Sequence, residues 1–80
     1  MKIEVTREDI DTPCDKLLSE CCPLARAISR AFGEAWHVGL QRTWRSGDNN
    51  ISFRLPPEAI EFREAYDYDL HVEPFTFELC

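Results

Sequence analysis

No apolar run in this sequence approaches the length of a bilayer span, and the opening MKIEVTRED breaks any signal-peptide core with charges after two or three residues. A soluble, cytoplasmic chain is the expectation. Glycine is scarce, and Gly33, Gly39 and Gly47 stand apart from one another, so there is no glycine-rich loop to cradle a phosphate. Cys14, Cys21 and Cys22 form a C-x6-C-C pattern rather than the C-x2–4-C pairs of structural zinc sites, and no metal or other cofactor is expected. In a reducing cytosol these three and Cys80 are thiols; if oxidised they allow three pairings, none of them favoured, and the neighbours Cys21 and Cys22 are poorly placed to bridge each other. There is no internal repeat, low-complexity tract or linker composition. Residues 1–80 therefore form one domain, whose core supplies only about 3–5 kcal/mol of net stability. That leaves little room for a deep catalytic cavity, and no catalytic residue set is expected.

Positive charge is the other shortage. Nine Lys and Arg stand against fifteen Asp and Glu, a formal net charge of −6. The imbalance is uneven. Residues 21–55 carry Arg26, Arg30, Arg42, Arg45 and Arg54 against Glu34 and Asp48, whereas residues 56–80 carry seven acids against Arg63 alone. An acidic C-terminal third argues against direct nucleic-acid binding and for a basic partner.

What is present is a clear alternation of periods. CPLARAISRAF, from Cys22 to Phe32, places Leu24, Ala27, Ile28, Ala31 and Phe32 on one helical stripe. Pro23 suits the first turn, Gly33 ends the helix, and Arg26, Ser29 and Arg30 fall on the solvent side. Ile3 and Val5 alternate with polar neighbours in a first strand. From Arg7 to Glu20 the polar cluster around Pro13 reads as a loop, with Asp11 or Asp15 capping a short turn that leads to Leu17 and Leu18 as a lid on the core. Trp36, Val38, Leu40 and Trp44 share a parity, as do Ile51, Phe53 and Leu55, with a turn-forming cluster at Ser46 to Asn50 between them: a β-hairpin. Arg42 has inward parity and is expected at the tip or edge, its head in water. Leu55-Pro56-Pro57-Glu58 opens a second helix from about Pro57 to about Tyr66, with Ala59, Phe62, Ala65 and Tyr66 on its buried side. Phe75, Phe77 and Leu79 form a last strand after Pro74.

The expected fold is thus α+β, in the order β-α-β-β-α-β, with two helices packed on one face of a four-stranded, mostly antiparallel sheet. The last strand lies beside the first, and the hairpin flanks one of them.

Glu58, Glu61 and Glu64 climb the second helix in steps of about 4.5 Å, and Asp67 and Asp69 extend the row. Their spacing is comparable with the charge spacing of a nucleic-acid strand, about one per 3.4 Å. These five are the candidate partner-binding residues. Tyr68, and to a lesser degree Tyr66 and Trp44, are candidate aromatic anchors at a protein interface. Cys22 at a helix N-terminus, with His37 or His71 as base, is the one arrangement that would suit a thiol enzyme, and packing as a small buried hydrophobe is the stronger reading.

The blocks VTREDI, CPLARAI, LPPEAIEF and VEPFTFEL, in that order and covering nearly the whole chain, resemble small proteins of bacteriophages and mobile elements, in particular anti-CRISPR proteins directed against type I-C systems. The resemblance implies a non-enzymatic inhibitor in the host cell that binds the surveillance complex and stops it engaging target DNA; the acidic row gives that implication a mechanism, a DNA mimic set against a basic DNA-binding subunit, and a monomer is expected. The alternative reading is a regulatory or antitoxin-like interaction module using an uncovered sheet face with Thr43, Arg45, Ser52 and Arg54.

Overall fold

The computed structural model describes residues 1–12 and 22–79, so Leu17, Leu18, Asp15 and the cysteines Cys14, Cys21 and Cys80 lie outside the described residues. The order of elements is β1 (Lys2–Val5), α1 (Arg7–Asp11), α2 (Pro23–Phe32), β2 (Trp36–Val38), β3 (Arg42–Arg45), β4 (Asp48–Arg54), α3 (Pro57–Asp67) and β5 (Phe75–Glu78). The fold is α+β, as the periods require. Among the described residues no helix is long and apolar enough to cross a membrane.

The strands form two sheets instead of the expected single four-stranded one. β1 pairs antiparallel with β5, Ile3 opposite Phe77, while β2, β3 and β4 make an antiparallel meander. The first and last strands are therefore neighbours as expected, but the hairpin does not join them. α2 packs against both β1 and β2, and this shared cover holds the two sheets around one core.

The extra strand arises at Gly39, Leu40 and Gln41. The Gly39 N–H donates to the Arg42 carbonyl at 2.8 Å, which closes a tight turn and splits the long apolar run in two. Val38 then faces Thr43, and cross-strand partners share a face. Because these partners are an odd number of residues apart, the turn inverts parity. Thr43 points inward and is fully buried, its Oγ1 donating to the His37 carbonyl at 2.7 Å. Trp44 goes to the outer face, and Leu40 at the turn is 75% exposed. Arg42 is exposed, as expected.

α2 begins and ends where the sequence says. Cys22 is its N-cap, Pro23 opens it, and Gly33 closes it at φ 73°. Its first turn is buried all round, including Ala25, because this end sinks between the elements, while Ala31 near the other end is exposed. Gly33 has open space around its Cβ position, so only backbone conformation opposes a larger residue. Gly33→Ala should cost about 1–2 kcal/mol, the strain of a left-handed non-glycine residue, measured as a drop in the urea midpoint at unchanged slope.

Phe32, Trp36 and Phe53 stack in a trio that ties α2 to the meander, with centroids 4.5 Å apart for Phe32 and Trp36 and 5.8 Å for Trp36 and Phe53. Phe62 of α3 stacks on Phe75 of β5 at 4.8 Å and closes the other end.

The segment after β1 is a helix where a loop was expected. Thr6 caps α1 in a reciprocal box: the Asp9 N–H donates to Thr6 Oγ1 at 3.2 Å, and the Thr6 N–H donates to Asp9 Oδ2 at 2.9 Å. The signal was in the sequence as Thr6-x-x-Asp9, the capping-box spacing.

Candidate functional site

α3 starts at Pro57 because a proline there forfeits no helical hydrogen bond, and Glu58 stands at the positive end of the helix. Ala59 and Phe62 are buried, and Tyr66, Ala65 and Ile60 are half-buried, which fixes the inward side. Glu58, Glu61 and Glu64 are all exposed. At about 100° per residue, each is displaced about 60° around the axis from the one before, so the three do not form a straight ridge but wrap from the Phe62 side at Glu58 to the opposite side at Glu64. None has a cation within ion-pair distance among the described residues.

The other two members of the row differ. Asp67 is half-buried and pairs with Arg63, Oδ2 to Nη1 3.4 Å, one turn back on the same helix. Asp69 lies beyond the helix end in the left-handed region, φ 60°, and is exposed. Beside it stand Tyr68, 77% exposed, and Leu70, also exposed, so the end of the acidic row carries apolar surface. Tyr66 and Trp44 are half-buried.

Among the described residues no arginine of the basic middle segment is within ion-pair distance of Glu58, Glu61 or Glu64. Arg30 is taken up by Asp9, Arg45 pairs with Glu34 at 3.5 Å, and Arg42 and Arg54 stand opposite each other on the outer face of the meander. Arg26 is half-buried on α2.

Arg30 is exposed, as expected, and it also serves as a structural clamp. Its Nη1 and Nη2 each donate to one carboxylate oxygen of Asp9 at 2.8 Å, and Nη2 also donates to the Glu4 carbonyl at 3.0 Å. One side chain thereby joins α2, α1 and β1. Burial alone would push the Asp9 carboxyl up, but the hydrogen bonds from Arg30 and from Thr6 outweigh it and hold it below its ordinary value.

The expected uncovered sheet face is also revised. Thr43 is buried and Arg45 is engaged with Glu34, so the exposed side of the meander is made by His37, Arg42, Trp44, Ser52 and Arg54. The parity inversion at the Gly39 turn is the reason, and the isolated Gly39 was the only sequence signal for it.

Cys22 is buried, and its Sγ accepts from the Ala25 N–H at 3.4 Å as a helix cap. Burial pushes its thiol up, and the N–H groups of Ala25 and Leu24 offset this only in part. His37 stacks on Trp44 and bonds Ser46, and His71 pairs with Glu73, which also receives Arg7 at 2.7 Å. Among the described residues no group of three or more His, Cys, Asp or Glu is arranged to hold a metal ion.

The geometry defines a small α+β domain with two sheets under a shared helix, and a helix whose Glu58, Glu61 and Glu64 are exposed without an ion-pair partner among the described residues. Compared with known proteins, the chain matches no protein-family model, no curated protein and no solved structure.

Proposed function

We propose that this protein is a non-enzymatic inhibitor that binds a type I CRISPR surveillance complex through the acidic side of α3 and keeps target DNA from its basic channel. The observation that carries the reading is that Glu58, Glu61 and Glu64 are exposed and lack cationic partners among the described residues. Carboxylates left uncompensated project their field into solvent, steer the molecule towards a positive groove and suppress non-basic partners. Tyr68 and Leu70, exposed at the end of the row, supply the apolar contact that charge alone lacks. The sequence blocks that resemble anti-CRISPR proteins name the class of target, a DNA-binding subunit of a type I-C complex. The protein acts as a monomer in the bacterial cytoplasm and does not touch nucleic acid itself.

The test is DNA binding by a purified type I-C surveillance complex titrated with this protein and with its Glu58→Gln, Glu61→Gln, Glu64→Gln variant, after circular dichroism has shown the variant folded. The parent should block DNA binding, and the variant should need at least about tenfold more protein, the equivalent of 1.4 kcal/mol. The difference should shrink as salt rises. Equal inhibition by both would move the contact away from α3, and no inhibition by the parent at saturation would remove the proposed target.

A further inference from the structure

The outer face of the β2-β3-β4 meander takes no part in that reading. Its register sets Arg42 directly opposite Arg54, and like charges in that position destabilise a strand pair. Arg7, Arg30, Arg45 and Arg63 each have a carboxylate within 4.0 Å, whereas Arg42 and Arg54 have none among the described residues. The Arg42 head is held over the sheet by a hydrogen bond to Ser52 Oγ at 3.3 Å. Next to this pair, the Trp44 indole packs against Gly39: a Cβ there would come within 2.8 Å of its ring. His37 stacks on it at 5.8 Å and 16°, which fixes its orientation. An open cleft of about 430 Å³ runs beside the ring between Leu40 and Arg42.

We propose that this face is a second docking surface, which takes a short acidic segment of a protein partner: its carboxylates bind Arg42 and Arg54, and an apolar side chain enters the cleft between Leu40 and Trp44. Paired guanidiniums match carboxylates with two-pronged geometry, and a pre-set aromatic ring beside them provides a low-entropy anchor. Two cations suffice for one or two carboxylates. They are too few to track the successive phosphates of a nucleic-acid strand.

The test is a ¹H–¹⁵N NMR titration of the full chain with three probes: an acetylated octapeptide of alternating glutamate and leucine, its glutamine analogue, and a twelve-residue oligothymidylate. The acidic peptide should move the Trp44 indole N–H and the β3 and β4 amides, leave the buried Trp36 indole in place, and bind with a Kd of about 0.1–1 mM. Arg42→Gln with Arg54→Gln should weaken this at least about tenfold, at unchanged or improved stability because the like-charge pair is gone. Trp44→Ala should weaken it as well; if that variant unfolds, the arginine pair decides. The α3 triple-glutamine variant should bind the peptide as the parent does, so this surface and the α3 reading fail separately. No shift at about 2 mM peptide, equal binding of the glutamine analogue, or shifts caused only by the oligothymidylate would overturn the proposal. So would shifts that grow with protein concentration alone, which would make the occupant a second copy.

Discussion

Trp36→Ala is expected to cost about 3–5 kcal/mol, comparable with the whole net stability of a domain this size, and to leave the protein largely unfolded at 25 °C. Trp36 is 2% exposed and stands between Phe32 of α2 and Phe53 of β4, so its removal opens a cavity where the helix meets the meander. Its backbone N–H also donates to Ser29 Oγ at 2.9 Å, which sets the angle at which the chain leaves α2 for β2. The same residue carries a cost of its own. Its indole Nε1 is buried with no hydrogen-bond acceptor among the described residues, a penalty of about 1–3 kcal/mol. Trp36→Phe keeps a ring in the stack and removes the orphaned donor, so it should lose no more than about 1 kcal/mol. Urea unfolding of both variants, followed by far-ultraviolet circular dichroism, measures the pair. If phenylalanine proves as damaging as alanine, the indole N–H is satisfied and ring stacking is not what the site requires.

Arg30→Met should cost about 2–3 kcal/mol. It strands the Asp9 carboxylate, which is 5% exposed, and removes both guanidinium bonds to it along with the bond to the Glu4 carbonyl. The value is set below that for a fully buried pair because the Arg30 side chain is 53% exposed and solvent screens it. Asp9→Asn keeps an acceptor for the Thr6 N–H and should cost about half as much. In the double variant the losses should not add, with a coupling of about 1–2 kcal/mol between two residues that act as one clamp.

The pH dependence follows from the same contacts. The Asp9 carboxyl is held below its ordinary value in the folded protein, against an unfolded value of about 3.9. Its contribution is therefore fully present above the unfolded value and is lost as pH falls through the folded one. The stability gap between the parent and Asp9→Asn should be constant from about pH 6 to 8 and narrow below about pH 4. A gap that persists unchanged at pH 2 would show that the charge of Asp9 is not what Arg30 reads.

Much of the architecture is local in origin. Cys22-Pro23 and Gly33 mark both ends of α2, Pro56-Pro57 and Glu58 open α3, and the alternation of Phe75, Phe77 and Leu79 gives β5, because capping, proline geometry and side-chain period are properties of a few consecutive residues. Thr6-x-x-Asp9 was equally legible as a helix start, and the nearby Pro13 and the neighbouring acids masked it. The exposure of Glu61 and Glu64 also follows from helical spacing against Phe62, whereas Glu58, four residues before it, falls within about 40° of the Phe62 side and is exposed in the first turn of the helix. The fate of Asp67 does not, because a half-buried position beside Arg63 depends on how closely α3 packs.

The partition into two sheets was beyond any reading of periodicity. A run such as Trp36 to Trp44 looks the same whether it continues or folds back, and the turn at Gly39 inverts the side chains of β3 relative to an unbroken strand. Arg30 shows the same limit for charge: helical spacing places it opposite the apolar stripe, and only the approach of α1 turns a solvated cation into a clamp. The sequence by itself determined the class of fold, the ends of α2 and α3, the pairing of first and last strands and the sign of the charge on α3. Tertiary structure alone decided the number of sheets, which face of the meander is open, and which charges are spent on the fold, since each of these depends on contacts between residues far apart in the chain.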